Sequence, residues 1–327
     1  MVQEILQMSK KCICVVGAGN WGKNHIRTLN ELGALAGIVE TSQNHKEKIQ
    51  ADYQDIKFFN NIRGAIDYGF DGFTVATPAE THFEIGNQLL TAGYPVLIEK
   101  PLALNTQDAK ILVEISENNH VTLMVGHLLL FHPAIQKIKT LLSLGRIGSL
   151  QYIYSNRLNL GTVRTEENVF WSFAPHDISI FQYLIESDPV KISSQGAAYV
   201  QEGLYDTTMT TLTYENNIQG HIYVSWLHPF KEHRLVVVGD KGMIHFEDSA
   251  ENKPLMIYDK GIDWEQGKPV MRDGPTEMVD YEPGLPLTLE MEYFINHLSE
   301  LPGIADGKNG LSVVSILEQA TKSMAII

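Results

Sequence analysis

Short apolar runs alternate with helix-like segments along the first 126 residues of the chain. Each run is bounded by glycine, proline or polar residues, which is typical of buried strands. Between the runs, apolar residues recur near helical spacing, as Ile26, Leu29 and Leu32 do before Gly33. Strands that alternate with helices predict a parallel sheet covered on both faces. The predicted strands are residues 12–18, 34–40, 56–60, 71–78, 95–101 and 121–127, and the predicted helices are residues 21–33, 43–53, 80–93 and 106–119.

The pattern changes near residue 148, where strands follow one another with few helices between them. Many of these segments alternate apolar with polar residues, which favours an antiparallel sheet with one covered and one open face. Residues 214–220 and 239–242 have the composition of hairpin turns. The sequence therefore predicts an α/β protein with two domains, a doubly wound parallel sheet in residues 1–126 and a large, mostly antiparallel open sheet in residues 127–327. In residues 127–327 the predicted strands are residues 149–160, 207–215, 218–227, 234–248 and 254–259, and the last two predicted helices are residues 287–300 and 310–326.

Composition and charge narrow the classes of partner. The chain has 327 residues, 44% hydrophobic and 20% charged, with a net charge of −14. So acidic a protein repels a phosphate backbone, and no nucleic-acid partner is expected. No apolar run is long enough to cross a bilayer, and residues 1–11 lack the apolar core of a signal peptide. Cys12 and Cys14 are interpreted as small buried residues of a reducing compartment, so the predicted location is cytoplasmic.

A glycine-rich turn follows the first predicted strand and opens the first predicted helix. Gly17, Gly19 and Gly22 fall in the order G-x-G-x-x-G. In a dinucleotide-binding turn, the first glycine permits a tight turn, the second lets the backbone approach a pyrophosphate, and the third lets helix and strand pack closely. The free N–H groups at the start of the helix then face the phosphates. This context predicts a Rossmann domain that binds NAD.

An acidic residue at the end of the second strand indicates which dinucleotide is bound. Glu40 lies about 20 positions beyond the turn, where a carboxylate accepts hydrogen bonds from the adenosine ribose and repels a 2′-phosphate. No arginine follows it closely. The position favours NAD over NADP. The alternative from the sequence alone is an ordinary glutamate that ends the strand and faces solvent.

The fifth predicted strand ends in a lysine at the edge where ligands bind. Glu99, Lys100 and Pro101 close the strand, and open parallel sheets bind ligands outside the carboxyl ends of their strands. Lys100 is therefore placed to reach a cofactor. The alternative from these residues alone is a lysine whose amine extends into solvent.

The order of these motifs resembles the glucose-fructose oxidoreductase/inositol dehydrogenase/rhizopine-catabolism (Gfo/Idh/MocA) family across the chain. The glycine-rich turn, "ATP" after the fourth strand, "EKP" after the fifth and a mostly antiparallel second domain carry the resemblance. It implies that the lysine of EKP, here Lys100, contacts both the nicotinamide region and the reacting hydroxyl. It also implies a cofactor site formed by Asn20 and Trp21 of the turn, Ala76, Thr77, Pro78, His82 and Glu99.

The family's second signature, D-x-G-x-H, is only partly present. Its histidine falls on His176, but Ser172 stands where aspartate is usual and Ala174 where glycine is usual. The resemblance implies that His176 lies beside the substrate, with Asp177 as a neighbour that orients the imidazole. A helix-capping histidine is the structural alternative.

Three short segments resemble a subgroup that acts on nucleotide-linked amino sugars. Residues 152–161, 170–179 and 225–232 are similar to UDP-N-acetylglucosamine and UDP-N-acetylglucosaminuronate 3-dehydrogenases. Arg157 and Arg164 suit a diphosphate or a carboxylate, since a guanidinium binds such groups through two parallel hydrogen bonds. Each would equally suit a surface ion pair.

Aromatic residues near these segments leave two interpretations open. Trp171, Tyr152 and Trp226 would stack on a base or sugar, or they would pack in the core. His127 and His132 have no acidic or thiol companions at metal-ligand spacing, so no metal site is predicted.

The resemblance implies hydride transfer between nicotinamide and a secondary hydroxyl of a sugar, with C3 of a UDP-N-acetylated amino sugar as the favoured position. Lys100 would accept the hydroxyl proton, because burial beside a cationic nicotinamide makes an amine a usable base. His176 would bond to the same oxygen. A free-sugar or cyclitol dehydrogenase and a non-catalytic dinucleotide sensor are the alternatives. The open sheet predicts a homodimer or homotetramer.

Overall fold

The computed structural model describes residues 11–324, which group into two compact units. The first unit takes the chain up to Gly126 together with Leu287–Leu311, and the second takes His127–Pro286 and the chain from Ser312 onward. The segment used to argue against a signal peptide lies almost wholly in residues 1–10, outside the described residues, as do residues 325–327. No helix among residues 11–324 is long and apolar enough to cross a membrane.

The first unit contains a six-stranded sheet whose neighbouring strands all run parallel. The strand order β3-β2-β1-β4-β5-β6 reverses direction between β1 and β4, which is the switch point where doubly wound sheets bind ligands. The predicted Rossmann fold is thus confirmed. The strands are β1 Ile13–Val16, β2 Leu35–Val39, β3 Lys57–Phe59, β4 Gly72–Val75, β5 Val96–Glu99 and β6 Leu123–Gly126, and the helices are α1 Gly22–Glu31, α2 Gln43–Gln50, α3 Ile62–Tyr68, α4 His82–Thr91 and α5 Thr106–Asn119.

Every residue of β1, β4, β5 and β6 is buried, as expected of strands with helices on both faces. Helix α3 was not predicted, because its seven residues are too few to show a period. Its first turn is closed by Asn61, whose side chain accepts the Gly64 N–H at 2.9 Å. The expectation that both cysteines are buried is wrong for Cys12, which precedes β1 and is exposed, whereas Cys14 lies inside the strand.

A C-terminal segment completes the first unit beyond the predicted range of residues 1–126. The Thr122 hydroxyl donates to the carbonyls of His297 and Glu300 at 2.7 and 2.8 Å. The Val125 N–H donates to the Ala305 carbonyl at 2.8 Å. These bonds attach the end of α8 (Pro286–Asn296) and the following loop to β6.

The second unit contains an eight-stranded sheet in the order β14-β13-β12-β11-β7-β10-β9-β8. All neighbours are antiparallel except β7 and β10, which pair in parallel. The mostly antiparallel sheet was predicted, and the turns at residues 214–220 and 239–242 do join hairpin strands. The strands are β7 Leu150–Leu158, β8 Lys191–Ala197, β9 Thr207–Thr213, β10 Gln219–Ser225, β11 Glu232–Gly239, β12 Met243–Glu247, β13 Leu255–Glu265 and β14 Lys268–Met278, and the helices are α6 Pro133–Ser143 and α7 Val169–Ile185. The last helix, α9 Gly307–Ser323, belongs to the first unit up to Leu311 and to the second unit from Ser312.

Candidate functional site

The glycine-rich turn is held by close backbone contacts that only glycine permits at two of its three positions. Gly17 has φ +93°, and a Cβ there would lie 2.9 Å from the Ala76 carbonyl oxygen. A Cβ on Gly22 would lie 2.1 Å from the Gly17 carbonyl oxygen, well inside van der Waals contact. These two glycines therefore let α1 begin directly against the end of β1 and the segment after β4.

Gly19 differs from the other two glycines because the protein does not fill the space beside it. A Cβ on Gly19 would meet nothing within 4 Å. No side chain caps the first turn of α1, which begins beside this open position. The Lys23 and Asn24 N–H groups donate to the backbone carbonyls of Gly19 and Trp21, so the feature that fits a dinucleotide pyrophosphate is the open approach beside Gly19 at the start of the helix.

Glu40 is buried at the end of β2 rather than facing solvent. Glu40 is only 8% exposed. Its carboxylate accepts the Ala18 N–H at 2.9 Å and the Ser42 N–H at 2.7 Å. The carboxylate thus joins the glycine-rich turn to the start of α2. A carboxylate has about four acceptor positions, so two remain for ribose hydroxyls.

Replacing this carboxylate is expected to change the choice of dinucleotide. The double variant Glu40→Ser, Thr41→Arg removes the charge that repels a 2′-phosphate and adds a guanidinium that binds it. We expect the ratio of NAD to NADP affinity to fall by about tenfold or more, as calorimetry with each dinucleotide would measure. Thr41→Arg alone is the matched control, because it keeps Glu40. Tighter binding of NADP than NAD by the native chain would show that Glu40 does not read the ribose.

The segment after β4 and the end of the EKP motif are joined through a buried imidazole. His82 begins α4 and is 1% exposed. Its Nε2 lies 2.9 Å from the Thr77 carbonyl oxygen and its Nδ1 lies 2.8 Å from the Pro101 carbonyl oxygen. The side chain of His82 therefore holds the two loops together. Since it faces both carbonyls, its proposed role at the cofactor site is to position Thr77 and Pro101.

Glu99, the last residue of β5, directs its carboxylate toward α1. It accepts a hydrogen bond from the Trp21 indole N–H, lies 2.9 Å from His25 Nε2, and accepts the Lys100 backbone N–H at 3.2 Å. Burial by itself would raise the pKa of Glu99, but the hydrogen bonds and charges of His25, Trp21 and Lys100 outweigh it and lower that pKa. Glu99 is therefore ionised. Lys100 itself is half-buried at the carboxyl edge of the sheet.

His25 was not among the predicted site residues. It is fully buried in α1, four residues after Trp21 and therefore on the same side of the helix as that residue. The W-x-x-x-H spacing was visible in the sequence, but its partner Glu99 lies 74 residues away. Only the fold brings these groups together.

In the second unit, α7 carries the partly matched second signature. His176 is half-buried and Ser172 is buried at the position where the family has aspartate. The role of Asp177 in orienting His176 stays a prediction, and the Asp177 carboxylate also has a partner of its own. Its two carboxylate oxygens accept from Arg157 Nε at 2.9 Å and Arg157 Nη2 at 3.1 Å.

Arg157 has a further partner within the second unit besides Asp177. It is a buried residue of β7, and its Nη1 lies 3.4 Å from His233 Nδ1. Burial, with the charges of Arg157 and Lys231, lowers the pKa of His233 to about 3, so His233 is neutral beside the guanidinium. The structure thus places Arg157 and Asp177 in a buried ion pair, and their contact with substrate stays a prediction.

The remaining candidates of the second unit differ in exposure. Arg164 is exposed and pairs with Glu167 at 3.3 Å, so its guanidinium remains accessible. Trp171 is half-buried and its indole N–H donates to the Thr321 hydroxyl at 3.0 Å. Trp226 is fully buried and packs in the core, whereas Tyr152 is partly exposed on β7. Among residues 11–324, no cluster of His, Cys, Asp and Glu is arranged to hold a metal ion.

The fold and the turn define a dinucleotide-binding oxidoreductase. Residues 11–127 match the family model described as "Oxidoreductase family, NAD-binding Rossmann fold", and residues 135–245 match the model of the GFO/IDH/MocA C-terminal domain. The chain belongs to the Gfo/Idh/MocA family of oxidoreductases, and its cofactor is NAD. This confirms the predicted family, enzyme class and cofactor. Membership of this enzyme family does not fit the alternative of a non-catalytic dinucleotide sensor.

Several curated relatives and solved structures span nearly the whole chain. UDP-N-acetylglucosamine 3-dehydrogenase of Acidithiobacillus ferrooxidans is 26% identical over 92% of this chain and 93% of its own length. Inositol 2-dehydrogenase of Rhizobium meliloti is 22% identical over 95% of this chain and 96% of its own length. A crystal structure of the Acidithiobacillus enzyme has a TM-score of 0.84 at 24% identity, covering 96% of this chain and 97% of that one. The WlbA dehydrogenase of Bordetella pertussis, solved with NADH and UDP-GlcNAcA, has a TM-score of 0.77 at 20% identity, with 96% of each chain covered.

Proposed function

We propose that this protein is an NAD-dependent dehydrogenase that oxidises a secondary hydroxyl of a sugar, with C3 of a UDP-N-acetylated amino sugar as its substrate position. The observation that carries the proposal is the joint position of the three loops after β1, β4 and β5. These strands are neighbours in a parallel sheet, so the glycine-rich turn, Thr77 and Lys100 lie at one edge. The full-length likeness to a UDP-N-acetylglucosamine 3-dehydrogenase supports the choice of sugar.

The chain's own residues have separable roles in the proposed reaction. When bound, NAD supplies the acceptor for the hydride that leaves the carbon. The glycine-rich turn would hold the pyrophosphate and Glu40 the adenosine ribose, while Asn20 and the Ala76–Pro78 segment would line the same edge. Lys100 would accept the hydroxyl proton as the carbonyl forms. His176, from the second unit, would donate a hydrogen bond to that oxygen or share its proton. Arg157 and the exposed Arg164 are the candidates for binding a diphosphate or uronate carboxylate.

The substrate class is tested by a panel of alcohols. UDP-N-acetylglucosamine and its uronate should reduce NAD, followed by absorbance, whereas myo-inositol and glucose should not. Because the equilibrium can favour the alcohol, the assay includes hydroxylamine to trap the ketone. The likeness to inositol 2-dehydrogenases gives a second candidate, a cyclitol dehydrogenase. Turnover of inositol together with silence on every nucleotide sugar would select that candidate instead.

We also propose that the protein works in the cytoplasm as a homodimer or homotetramer joined through the second unit. Residues alternate between buried and exposed along β9 and β10, which leaves one face of this sheet open. Met209 and Tyr152 are among the apolar residues exposed there. An open sheet face that carries exposed apolar residues supports an interface with a second copy of the chain. Light scattering that reports a monomer at micromolar concentration would contradict the assembly.

A further inference from the structure

The EKP strand end and the start of the phosphate-binding helix share one buried carboxylate. Glu99 is 6% exposed, and its three partners come from two elements: Trp21 and His25 from α1 and its N-terminal cap, and the backbone N–H of Lys100 from the strand end. A Cβ on Gly126 would lie 2.8 Å from the carboxyl carbon, so the carboxylate fills the space that this glycine leaves open. Glu99 is therefore fixed from three sides.

The cost of burying a charged group restricts the movement of Glu99 and its partners. An ionised carboxylate is costly to bury and is tolerated only when hydrogen-bond donors surround it. If Trp21 or His25 moves, Glu99 loses a hydrogen-bond donor. Because Glu99 is buried, solvent does not replace that donor. A displacement of the helix start is therefore transmitted to the backbone of Lys100 rather than absorbed by solvent.

A second buried acid, Glu290 of α8, interacts electrostatically with Glu99. Glu290 is fully buried, and neither of its carboxyl oxygens has a hydrogen-bond partner among residues 11–324. Burial and the negative charge of Glu99 raise the pKa of Glu290 well above its ordinary value. Glu99, in contrast, has hydrogen-bond donors from Trp21, His25 and the Lys100 backbone.

The cap residue links this buried group to the surface that faces a dinucleotide. Trp21 is 40% exposed and directly precedes α1, two residues after the open position at Gly19. A pyrophosphate bound at the turn would restrict this residue, because the first N–H groups of the helix would bind it. The same residue donates its indole N–H to Glu99.

We propose that Glu99 is a positioning residue that couples occupancy of the glycine-rich turn to the placement of Lys100, through the contacts of its carboxylate with Trp21, His25 and the Lys100 backbone. This inference rests on the proposed function, in which Lys100 is the base. The two charged residues of the EKP motif then have different roles. Lys100 contacts the cofactor and the substrate, whereas Glu99 acts only through Lys100 and α1.

The test measures Lys100 directly, with a ligand that fills the turn but carries no nicotinamide to shield the amine. Acetic anhydride modifies lysines, and mass spectrometry of the Lys100 peptide gives the rate with and without saturating ADP-ribose. In the native chain, ADP-ribose should change this rate by about fivefold or more, the scale of ordinary coupling between sites. In Glu99→Gln and in Trp21→Phe, the change should shrink to less than about twofold. Trp264→Phe, on the exposed end of β13, is the control and should behave like the native chain.

Two results would overturn the proposal: no effect of ADP-ribose on Lys100 in the native chain, or the full effect retained in Glu99→Gln. If Glu99→Gln does not fold, Trp21→Phe decides, because it removes one N–H and keeps the aromatic ring. The assay needs no sugar substrate, so its result is independent of the substrate panel. Loss of sugar oxidation with intact coupling would remove the proposed reaction alone. Normal sugar oxidation without coupling would remove the role of Glu99 alone.

Discussion

Lys100→Met is expected to slow the chemical step by about 100-fold or more, the usual scale for a lost general base. That loss corresponds to about 3 kcal/mol of transition-state stabilisation. Methionine keeps the apolar stem of the side chain and removes the amine. NAD affinity should change far less, because the proposed pyrophosphate site is the turn at Gly17–Gly22, to which Lys100 does not belong. Pre-steady-state reduction of NAD and calorimetry measure the two quantities separately.

Lys100→Arg distinguishes a base from a mere positive charge. Arginine keeps the charge but cannot accept a proton at neutral pH, so it should be about as slow as methionine if Lys100 is the base. His176→Ala should also slow the reaction. If both residues serve one proton, as proposed, the double variant Lys100→Met, His176→Ala should lose less than the product of the two single losses. Near-native turnover of Lys100→Met would move the base to His176. Loss of NAD binding in a folded Lys100→Met chain would make Lys100 a cofactor residue only.

Gly22→Ala is expected to remove NAD binding and to destabilise the fold. The added Cβ would lie 2.1 Å from the Gly17 carbonyl oxygen, so α1 must move away from the end of β1. Overpacking of this kind costs about 1–3 kcal/mol of stability. Since the phosphate site is built from the displaced groups, NAD affinity should fall by about 100-fold or more. Thermal unfolding and calorimetry report the two effects.

Gly19→Ala and Gly64→Ala make the comparison specific. A Cβ on Gly19 meets no protein atom within 4 Å, so this variant should keep its melting temperature and lose NAD affinity only if a ligand fills that space. Gly64 lies in α3, where a Cβ would make only ordinary contacts, the nearest at 3.5 Å. Gly64→Ala should therefore change neither quantity. Unchanged NAD affinity in Gly22→Ala would show that the turn does not hold the dinucleotide.

The sequence was informative where a local pattern decides the structure. The apolar strands of the first unit, the turn at Gly17–Gly22 and the strand end at Lys100 are all set by residues close together in the chain. By contrast, α7 was not predicted because most of its residues are buried, so that no polar face marks its period, and Pro175 lies inside it. Strand β14 was missed for the opposite reason: almost all of its residues are exposed, and it shows no alternation.

The parts of the site that escaped prediction depend on long-range packing. Asp177 follows His176 in the chain, and its carboxylate pairs with Arg157, 20 residues earlier. Glu99 is predicted as a cofactor residue because it belongs to the EKP motif, and the fold also brings its carboxylate to Trp21 and His25, 78 and 74 residues before it. Glu290 belongs to a segment that rejoins the first unit after the whole second sheet. Neighbours of this kind follow from topology rather than from spacing.

The most direct test of the proposed reaction follows the hydrogen at C3. UDP-N-acetylglucosamine that carries deuterium only at C3 is incubated with the enzyme and NAD, and the reduced dinucleotide is analysed by mass spectrometry. The account predicts that the reduced nicotinamide carries one deuterium and that its formation is slower than with the unlabelled sugar. Reduced dinucleotide that contains no deuterium would place the oxidation at another carbon, and no reduction at all with either UDP-linked amino sugar would contradict the proposed substrate.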